Sequence, residues 1–363
     1  MTVLGTRPEI IRLSKIIQIF DNYFDHYLVN TNQNFDTNLN KVFFKTMNLR
    51  EPNVTFKKNR ISLANSISSI FINTEKLIKK IKPDAFFILG DTNSALSSII
   101  AKRYSIPVFH MEAGNRAFDK RVPEEINRKI IDHLADINLT YSKLAKQNLI
   151  NEGLSQDKIF NVGSPLYEVI ELYKPKIKES RILNRLNLDS KSYFLISFHR
   201  QENLDNISRF KYIIGIINKL SKLYKNKKIL ISTHPRTRMK FKNLNLSFDK
   251  NIIISEPFNF IDYIKLQENA FCVISDSGSI SEEASILKFP AINLRETNER
   301  QEAMEEGAVP MLTSDINKSL FVIKCVIDSY SLIKTPNEYL SPNLSYKLSK
   351  IIMSYIDYSK NRI

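Results

Sequence analysis

The stretch FFILGDTNSALSSIIAKRYSIPVF, residues 86–109, begins apolar, breaks on Gly-Asp-Thr, takes up helical spacing, passes basic residues and a proline, and ends apolar again. Residues 271–294, FCVISDSGSISEEASILKFPAINL, repeat that order. A short apolar run, a small polar turn and then roughly 10 to 15 residues of helical pattern are the grammar of a βαβ unit, in which a crossover helix joins parallel strands. Outward from these two stretches the same alternation continues. It predicts strands at 27–29, 85–89, 107–111, 137–139 and 159–162, and then at 194–198, 229–231, 252–254, 271–274 and 291–294. Two sheets suit this series better than one, with the Lys-, Leu- and Asn-rich residues 171–191 as the expected linker. The expected fold is α/β, two Rossmann-like domains whose parallel sheets face a central cleft. The first domain is 1–170, the second 171–342, and an amphipathic helix in 343–363 packs back on the first. Open sheets of this kind bind ligands outside the carboxyl ends of their strands. Residues 1–4 are short for a central strand, which suggests a start upstream of Met1.

Composition narrows the function. At 363 residues and 43% hydrophobic, the chain can build two cores. It contains no uninterrupted apolar run of the roughly 18 residues a membrane span needs, and MTVLGTRPE lacks the layout of a signal peptide, so a cytoplasmic protein is expected. The formal charge is +15. Its lysines are scattered rather than striped with aromatics, which argues against nucleic acid as the partner while still favouring an anionic substrate. Cys272 and Cys325 both lie in apolar runs and read as buried reduced thiols. No Cys/His cluster proposes a metal and no G-x-G-x-x-G follows a strand, so no metal and no cofactor are expected. Glycine is scarce, eight residues in all. Six of them (Gly5, Gly90, Gly114, Gly163, Gly278 and Gly307) fall in or beside polar motifs, mostly just after apolar runs, which marks the strand-end loops as the site.

Those loops carry reactive residue types. GTRPEI (5–10) offers Arg7 behind a glycine turn, with Pro8 suited to a helix start. SDSGSISEEAS (275–285) follows a strand and opens a helix, so the backbone around Ser277, Gly278 and Ser279 suits a phosphate, with Glu282 and Glu283 one turn in for ribose hydroxyls. FHRQEN (198–203) ends a strand with His199 and Arg200, and THPRTR (233–238) offers His234, Arg236 and Arg238. In HMEAGNRAFDKRVPEEINRK (110–129), Glu112 ends a strand beside Gly114. Pro123 suits the start of a helix whose stripe Ile126, Ile130 and Leu134 is expected inward, leaving Glu124, Asn127 and Arg128 on a polar face. With Asp91 after Gly90, three carboxylates converge, which fits general acid/base work on a nucleotide-linked molecule.

Taken in order, GTRPE, GDT, EAGNR, PEEINR, HRQEN, SDSGS, EEAS and ERQEAMEEG closely resemble the non-hydrolysing UDP-N-acetylglucosamine 2-epimerase family over nearly the whole chain. The resemblance implies the glycosyltransferase-B arrangement, a UDP-sugar substrate, no cofactor and a homodimer. By position it implies Arg7, Asp91, Glu112, Glu124, His199, Ser277, Gly278, Glu283 and Arg300 as site residues, with Tyr263 where an aromatic stacks on uracil. With the residues read above, the expected catalytic set is Asp91, Glu112, Glu124 and His199, and the expected substrate contacts are Arg7, Arg116, Arg200, His234, Tyr263, Ser277, Gly278, Ser279, Glu283 and Arg300. FHMEAGNRAFDKRVPEEINR, STHPRTR and NFIDYIKLQ are more similar to the branch acting on 6-deoxy L-sugars, the UDP-2-acetamido-2,6-dideoxy-β-L-talose 2-epimerases that make UDP-N-acetyl-L-fucosamine for surface polysaccharide. Gln33-Asn34-Phe35-Asp36 and the preceding Asn32 depart from the usual family pattern at its allosteric substrate contact. The chemistry agrees. Carbon 2 of an acetamido sugar has no adjacent carbonyl, so elimination of UDP to a glycal and re-addition is the accessible route, and its two faces require more than one acid/base group. Which of Asp91, Glu112 and Glu124 serves which face stays open. A glycosyltransferase of the same fold is the nearest rival and would not need the three carboxylates.

Overall fold

The computed structural model describes residues 1–33, 43–57, 62–119, 122, 124–332, 334 and 336–360. Asn34, Phe35, Asp36, Arg121 and Pro123, all of which entered the sequence reading, lie outside the described residues. In chain order the strands are β1 (Thr2–Leu4), β2 (Leu28–Asn30), β3 (Val54–Thr55), β4 (Phe86–Leu89), β5 (Val108–Ala113), β6 (Ile137–Thr140) and β7 (Ile159–Asn161), then β8 (Tyr193–Ser197), β9 (Lys228–Ser232), β10 (Ile252–Ser255), β11 (Cys272–Ser275) and β12 (Ala291–Asn293). Every pairing is parallel. The first sheet has the order β3-β2-β1-β4-β5-β6-β7 and the second β10-β9-β8-β11-β12. All ten expected strands are present. The additional β3 is two residues long, too short for a periodic signal.

Burial on both faces explains why the strands read as unbroken apolar runs. In β8, Phe194 and Ile196 join a core with Ile229, Ile231 and Ile274, while Leu195 faces a second core with Leu230, Val273 and Ala291. This is the two-residue alternation of a sheet covered on each side. Cys272 sits in the first of these cores, as expected. Cys325 does not: it lies on the outer face of the helix Ile316–Ser329 and is exposed. Its neighbourhood is apolar in sequence, but helical spacing turns it away from the face that buries Ser319, Ile323 and Val326.

The chain divides into two compact units, Met1–Leu172 with Asn337–Ile363, and Tyr173–Pro336. The division falls inside the helix Leu166–Glu179, and much of the stretch read as a linker is helical, continuing in Ile182–Arg185. In the first unit the returning helix Leu344–Lys360 packs on the helix Arg7–Tyr23, with Tyr346 edge-on to Tyr23 and Glu168 accepting from the Ser345 amide at 3.0 Å. No helix among the described residues is long and apolar enough to cross a membrane.

Each sheet reverses its strand order once, between β1 and β4 in the first and between β8 and β11 in the second. At such a switch point the loops leaving two neighbouring strands diverge to opposite faces, and ligands settle between them. The loops concerned are GTRPE with GDT in the first unit, and HRQEN with SDSGS in the second.

Gly163, where β7 meets the returning tail, has φ +91°, and a Cβ there would lie 1.8 Å from Ser341 Oγ and 2.8 Å from the Glu338 carbonyl. Gly153 has a similar φ of +89° but no atom within 4 Å of such a Cβ. Gly153→Ala is expected to cost about 1–2 kcal/mol from backbone strain alone, and Gly163→Ala about 1–3 kcal/mol more from overpacking. Urea denaturation of the two variants side by side measures the difference; equal losses would mean that the tail yields without resistance.

Candidate active site

In the first unit the switch point is organised by Glu9. Thr6 and Glu9 form a capping box at the start of the helix Arg7–Tyr23. Glu9 Oε2 accepts from the amides of Gly5 and Thr6, both at 2.7 Å, and from Thr6 Oγ1 at 3.1 Å. Its other oxygen accepts from Thr92 Oγ1 at 2.7 Å, beyond the reach of any cap. One buried carboxylate thus ties the loop carrying Arg7 to the loop carrying Asp91. Burial pushes the Glu9 carboxyl up to about 7, against the opposing pull of these donors. The approach leaves no room for a side chain at residue 5: a Cβ on Gly5 would lie 2.1 Å from Thr31 Oγ1 and 2.2 Å from Ser94 Oγ. Arg7 is exposed, its guanidinium 5.5 Å above the Phe43 ring. Glu9 was not among the expected site residues, although Thr6-x-x-Glu9 is the capping-box signature.

Two of the three expected carboxylates meet in this loop cluster. Asp91 Oδ2 lies 2.7 Å from both Nε and Nη2 of Arg128, and the Asp91 carbonyl accepts from Asn127 Nδ2 at 2.8 Å. Glu112 stands at a bulge in β5, where the register with β6 shifts between Met111 and Ala113. Its φ is +71°, a strained backbone for a residue with a Cβ. The bulge turns the side chain toward the GDT loop, where a Cβ on Gly90 would be 3.6 Å from Glu112 Oε2. Glu124, half-buried, opens the helix Glu124–Leu134, one turn before Arg128.

That helix departs from expectation over its first two turns: Leu134 packs against the core beside Ile131, as expected, but the two isoleucines before it do not. Ile126 is 62% exposed and Ile130 42%, whereas Glu125, Arg128, Ile131 and Asp132 are buried. Beside Ile131, the inward face carries charged groups because partners wait for them. Glu125 accepts from Arg128 at 3.0 Å and from the Ala117 amide at 3.1 Å, and Asp132 accepts from Arg116 Nη1 at 2.7 Å. Arg116, expected to touch substrate, is only 1% exposed and forks onto Glu152 at 2.7 and 2.6 Å. Its guanidinium therefore braces the loop after β5. His110 donates from Nε2 to the Gly90 carbonyl at 3.0 Å, while its Nδ1 lies 2.9 Å from Asp132 Oδ1 but is poorly aligned for a hydrogen bond. Burial works against ionisation of Asp132, yet His110 and Arg116 hold its carboxyl below the usual range.

The second unit repeats the arrangement with Asp276, which is fully buried. Its Oδ2 accepts from the amides of His199 and Arg200, both at 2.9 Å, and from Asn203 Nδ2 at 3.0 Å, while His199 Nδ1 lies 3.2 Å from Oδ1. Burial opposes the charge, but these partners keep the carboxyl below its usual range. The His199 side chain is half-exposed and its ring lies 6.2 Å from that of His234, the exposed N-cap of the helix Pro235–Asn243. Arg200 is half-buried, 3.9 Å from Glu202. Ser277 Oγ and Ser279 Oγ are 2.9 Å apart, and Ser279 donates to Glu283 at 2.7 Å. Glu283, buried, also accepts from Gln267 at 2.5 Å. Glu282, expected at ribose, is instead fully buried and paired with Arg300 at 3.0 Å. Arg238 pairs with Glu256 at 2.8 Å. Tyr263 packs beside the core with its hydroxyl 2.8 Å from Ser197 Oγ, and burial pushes that hydroxyl well above its ordinary range. Asp276 stands in the quoted SDSGS motif, but only the tertiary contacts reveal what it holds.

Parallel sheets, two switch points and two clusters of charged strand-end loops define a Rossmann-like enzyme of the glycosyltransferase-B type. The family model described as UDP-N-acetylglucosamine 2-epimerase matches residues 19–353. The UDP-N-acetylglucosamine 2-epimerase of Methanocaldococcus jannaschii is 36% identical over 346 residues, 92% of this chain and 93% of that one. Among solved structures, the UDP-N-acetylglucosamine 2-epimerase from Rickettsia bellii aligns with a TM-score of 0.90 at 43% identity, covering 99% of this chain and 96% of that one. The Methanocaldococcus jannaschii enzyme in complex with UDP-GlcNAc and UDP aligns with a TM-score of 0.89 at 33% identity, covering 97% and 99%. The chain belongs to the UDP-N-acetylglucosamine 2-epimerase family, and with it is an isomerase.

The raised Glu9 gives a test of its burial. A carboxyl whose folded value lies above its unfolded 4.5 keeps its proton in the native state after the unfolded chain has lost it. Wild-type stability therefore falls from this group as pH rises from about 4.5 to about 7, by up to about 3 kcal/mol, and levels off above. Glu9→Gln does not titrate, so its stability relative to wild type should improve across that window. Urea unfolding of both proteins at pH 5 and 7.5 measures the change, and a constant difference would show that the four donors offset burial.

Proposed function

We propose that the protein inverts carbon 2 of a UDP-linked 2-acetamido sugar by eliminating UDP and adding it back. A base removes the carbon 2 proton, the bond between carbon 1 and the diphosphate oxygen breaks, and a glycal with a double bond between carbons 1 and 2 results. Protonation of carbon 2 on the opposite face and return of UDP to carbon 1 complete the exchange, with no net oxidation. The observation that supports this most is Glu112, kept in a left-handed backbone at a bulge beside the Asp91 loop. Strain of that kind persists where the surrounding structure enforces it, commonly at a reacting centre. In this reading Asp91, Glu112 and Glu124 supply the acid/base groups. His199, Arg7, Arg200, His234, Arg300 and the Ser277–Ser279 loop hold the nucleotide and its diphosphate, with Glu283 and Tyr263 at the nucleoside.

For the sugar we favour the 6-deoxy L-series, UDP-2-acetamido-2,6-dideoxy-β-L-talose going to UDP-N-acetyl-L-fucosamine. Phe118, on the loop between Glu112 and Glu124, is 66% exposed, and in this reading its ring is the apolar contact for the sugar's methyl group. The second reading is UDP-N-acetylglucosamine to UDP-N-acetylmannosamine, favoured by the likeness to the Methanocaldococcus jannaschii complex. Incubating the enzyme in D₂O with each UDP-sugar and following deuterium at carbon 2 by NMR decides between them. Faster exchange into the L-talose compound is expected, and Asp91→Asn, Glu112→Gln and Glu124→Gln should each slow it by roughly 10² or more. Faster exchange into the glucosamine compound would reverse the choice of sugar, and no exchange into either would end the elimination reading.

A homodimer is part of the same proposal. Ile126 and Ile130, four residues apart on one helix, form an exposed apolar stripe whose opposite face is committed to buried ion pairs. A second copy of the chain is the partner best suited to cover it. The Ile126→Glu/Ile130→Glu double variant should be monomeric by light scattering where wild type is a dimer; an unchanged dimer would place the interface elsewhere.

A further inference from the structure

Arg295 entered neither the sequence reading nor the site described above. It follows β12 and is 3% exposed. Its Nη1 is 2.8 Å from Glu299 Oε1, and its Nε donates to the Asp276 carbonyl at 3.2 Å. The remaining arm, Nη2, is buried and has no hydrogen-bond partner among the described residues. Leaving a buried guanidinium arm without an acceptor is unfavourable, so an acceptor from outside the chain is the natural complement. The direction of that arm is given by Gly278. The three atoms nearest to a Cβ built there all belong to the Arg295 guanidinium, with Nη2 first at 3.7 Å. Gly278 does not have positive φ, so its backbone does not require glycine. What glycine supplies is a close approach to the Ser277–Ser279 turn, directly above an arginine arm. The turn also opens the helix Ile280–Leu287, whose positive end favours an anion.

We propose that Arg295 is a further diphosphate-binding residue, with Nη2 donating to a phosphoryl oxygen that passes over Gly278. This rests on the UDP-sugar reading and adds to it a buried cation beneath the loop. During elimination the bond to carbon 1 breaks and its electron pair stays on the departing diphosphate, which gains negative charge. A guanidinium arm fixed by Glu299 and the Asp276 carbonyl meets that charge with little rearrangement. Asp276 also accepts from the amides of His199 and Arg200. The diphosphate loop and the HRQEN loop therefore share one support.

The test compares UDP with uridine, which lacks the phosphates, by calorimetric and NMR titration of the full chain at fixed salt. The variants are Arg295→Gln/Glu299→Gln, which removes the ion pair without leaving a lone acid, Glu299→Gln alone, and Arg295→Lys. The double variant is expected to bind UDP about 10- to 100-fold more weakly, the range of a charge-assisted hydrogen bond, with uridine binding unchanged. Glu299→Gln should keep UDP affinity within about threefold, since Nη2 remains. Arg295→Lys, which retains the charge but not the second arm, should also lose UDP affinity while keeping uridine, and it decides the matter if the double variant does not fold. Wild-type UDP affinity in either Arg295 variant, or an equal loss of UDP and uridine, overturns the proposal. If wild type itself binds neither compound, the UDP-sugar reading fails instead.

Discussion

Two buried carboxylates, Glu9 and Asp276, are the constraint on which both loop clusters depend. Each stands at the point where a parallel sheet reverses its strand order. Each accepts two backbone amides of the loop leaving the strand on one side of that point, Gly5 and Thr6 for Glu9 and His199 and Arg200 for Asp276. Each also joins that loop to its neighbour, Glu9 through Thr92 and Asp276 by standing in the neighbouring loop itself. A buried carboxylate without donors would be strongly unfavourable, and donors without it would be orphaned amides at strand ends. The two needs answer each other. The result is a pair of polar loops held at fixed separation on a rigid apolar sheet, as a binding site requires.

The same logic explains the helix Glu124–Leu134. Its sequence offers an apolar stripe and a polar face, and burial of the stripe would be the ordinary outcome. The loops at the carboxyl ends of β4 and β5 instead present the Asp91 carboxylate, the Arg116 guanidinium and the Ala117 amide, groups that need charged or polar partners. Glu125, Arg128 and Asp132 meet those needs from one side of the helix. Replacing them with Ile126 and Ile130 would strand several charges in the interior, an unfavourable exchange against the roughly 1.5–3 kcal/mol gained by burying each isoleucine. Buried ion pairs of this kind add little net stability, but they specify one orientation. That orientation lets Arg128 grip Asp91.

The strand-end loops of the two units differ in chemistry. The first concentrates acids, with Asp91, Glu112 and Glu124 on neighbouring loops. The second concentrates hydroxyls, an imidazole and cations: Ser277 and Ser279, His199, and the buried arginines Arg295 and Arg300. The arginines are each held by an acid from their own unit, Glu299 and Glu282, which fixes their direction without cancelling their donors. Glu283 is likewise immobilised by Ser279 and Gln267. Side chains restrained before a ligand arrives lose less freedom when it binds.

Much of this was determined by the sequence alone. The strands could be read because a parallel sheet buried on both faces demands continuous apolar runs, and their turns could be read because, with so few glycines, most of those that remain stand at strand-end loops. Asp91, Glu112, His199 and the Ser277–Ser279 turn were legible because they stand at the ends of those runs, and strand ends are where such folds expose side chains. The tertiary structure decided whatever depends on residues distant in sequence. Thr6-x-x-Glu9 reads locally as a helix cap, and only the meeting of β1 with β4 adds Thr92, 83 positions away. Arg116 and Arg128 look alike in the chain, yet one braces the fold against Asp132 and Glu152 while the other holds Asp91. Periodicity identifies two faces of the helix Glu124–Leu134, but which face turns inward is settled by the groups already waiting on the sheet, because electrostatic complementarity acts through space and leaves no period in the sequence.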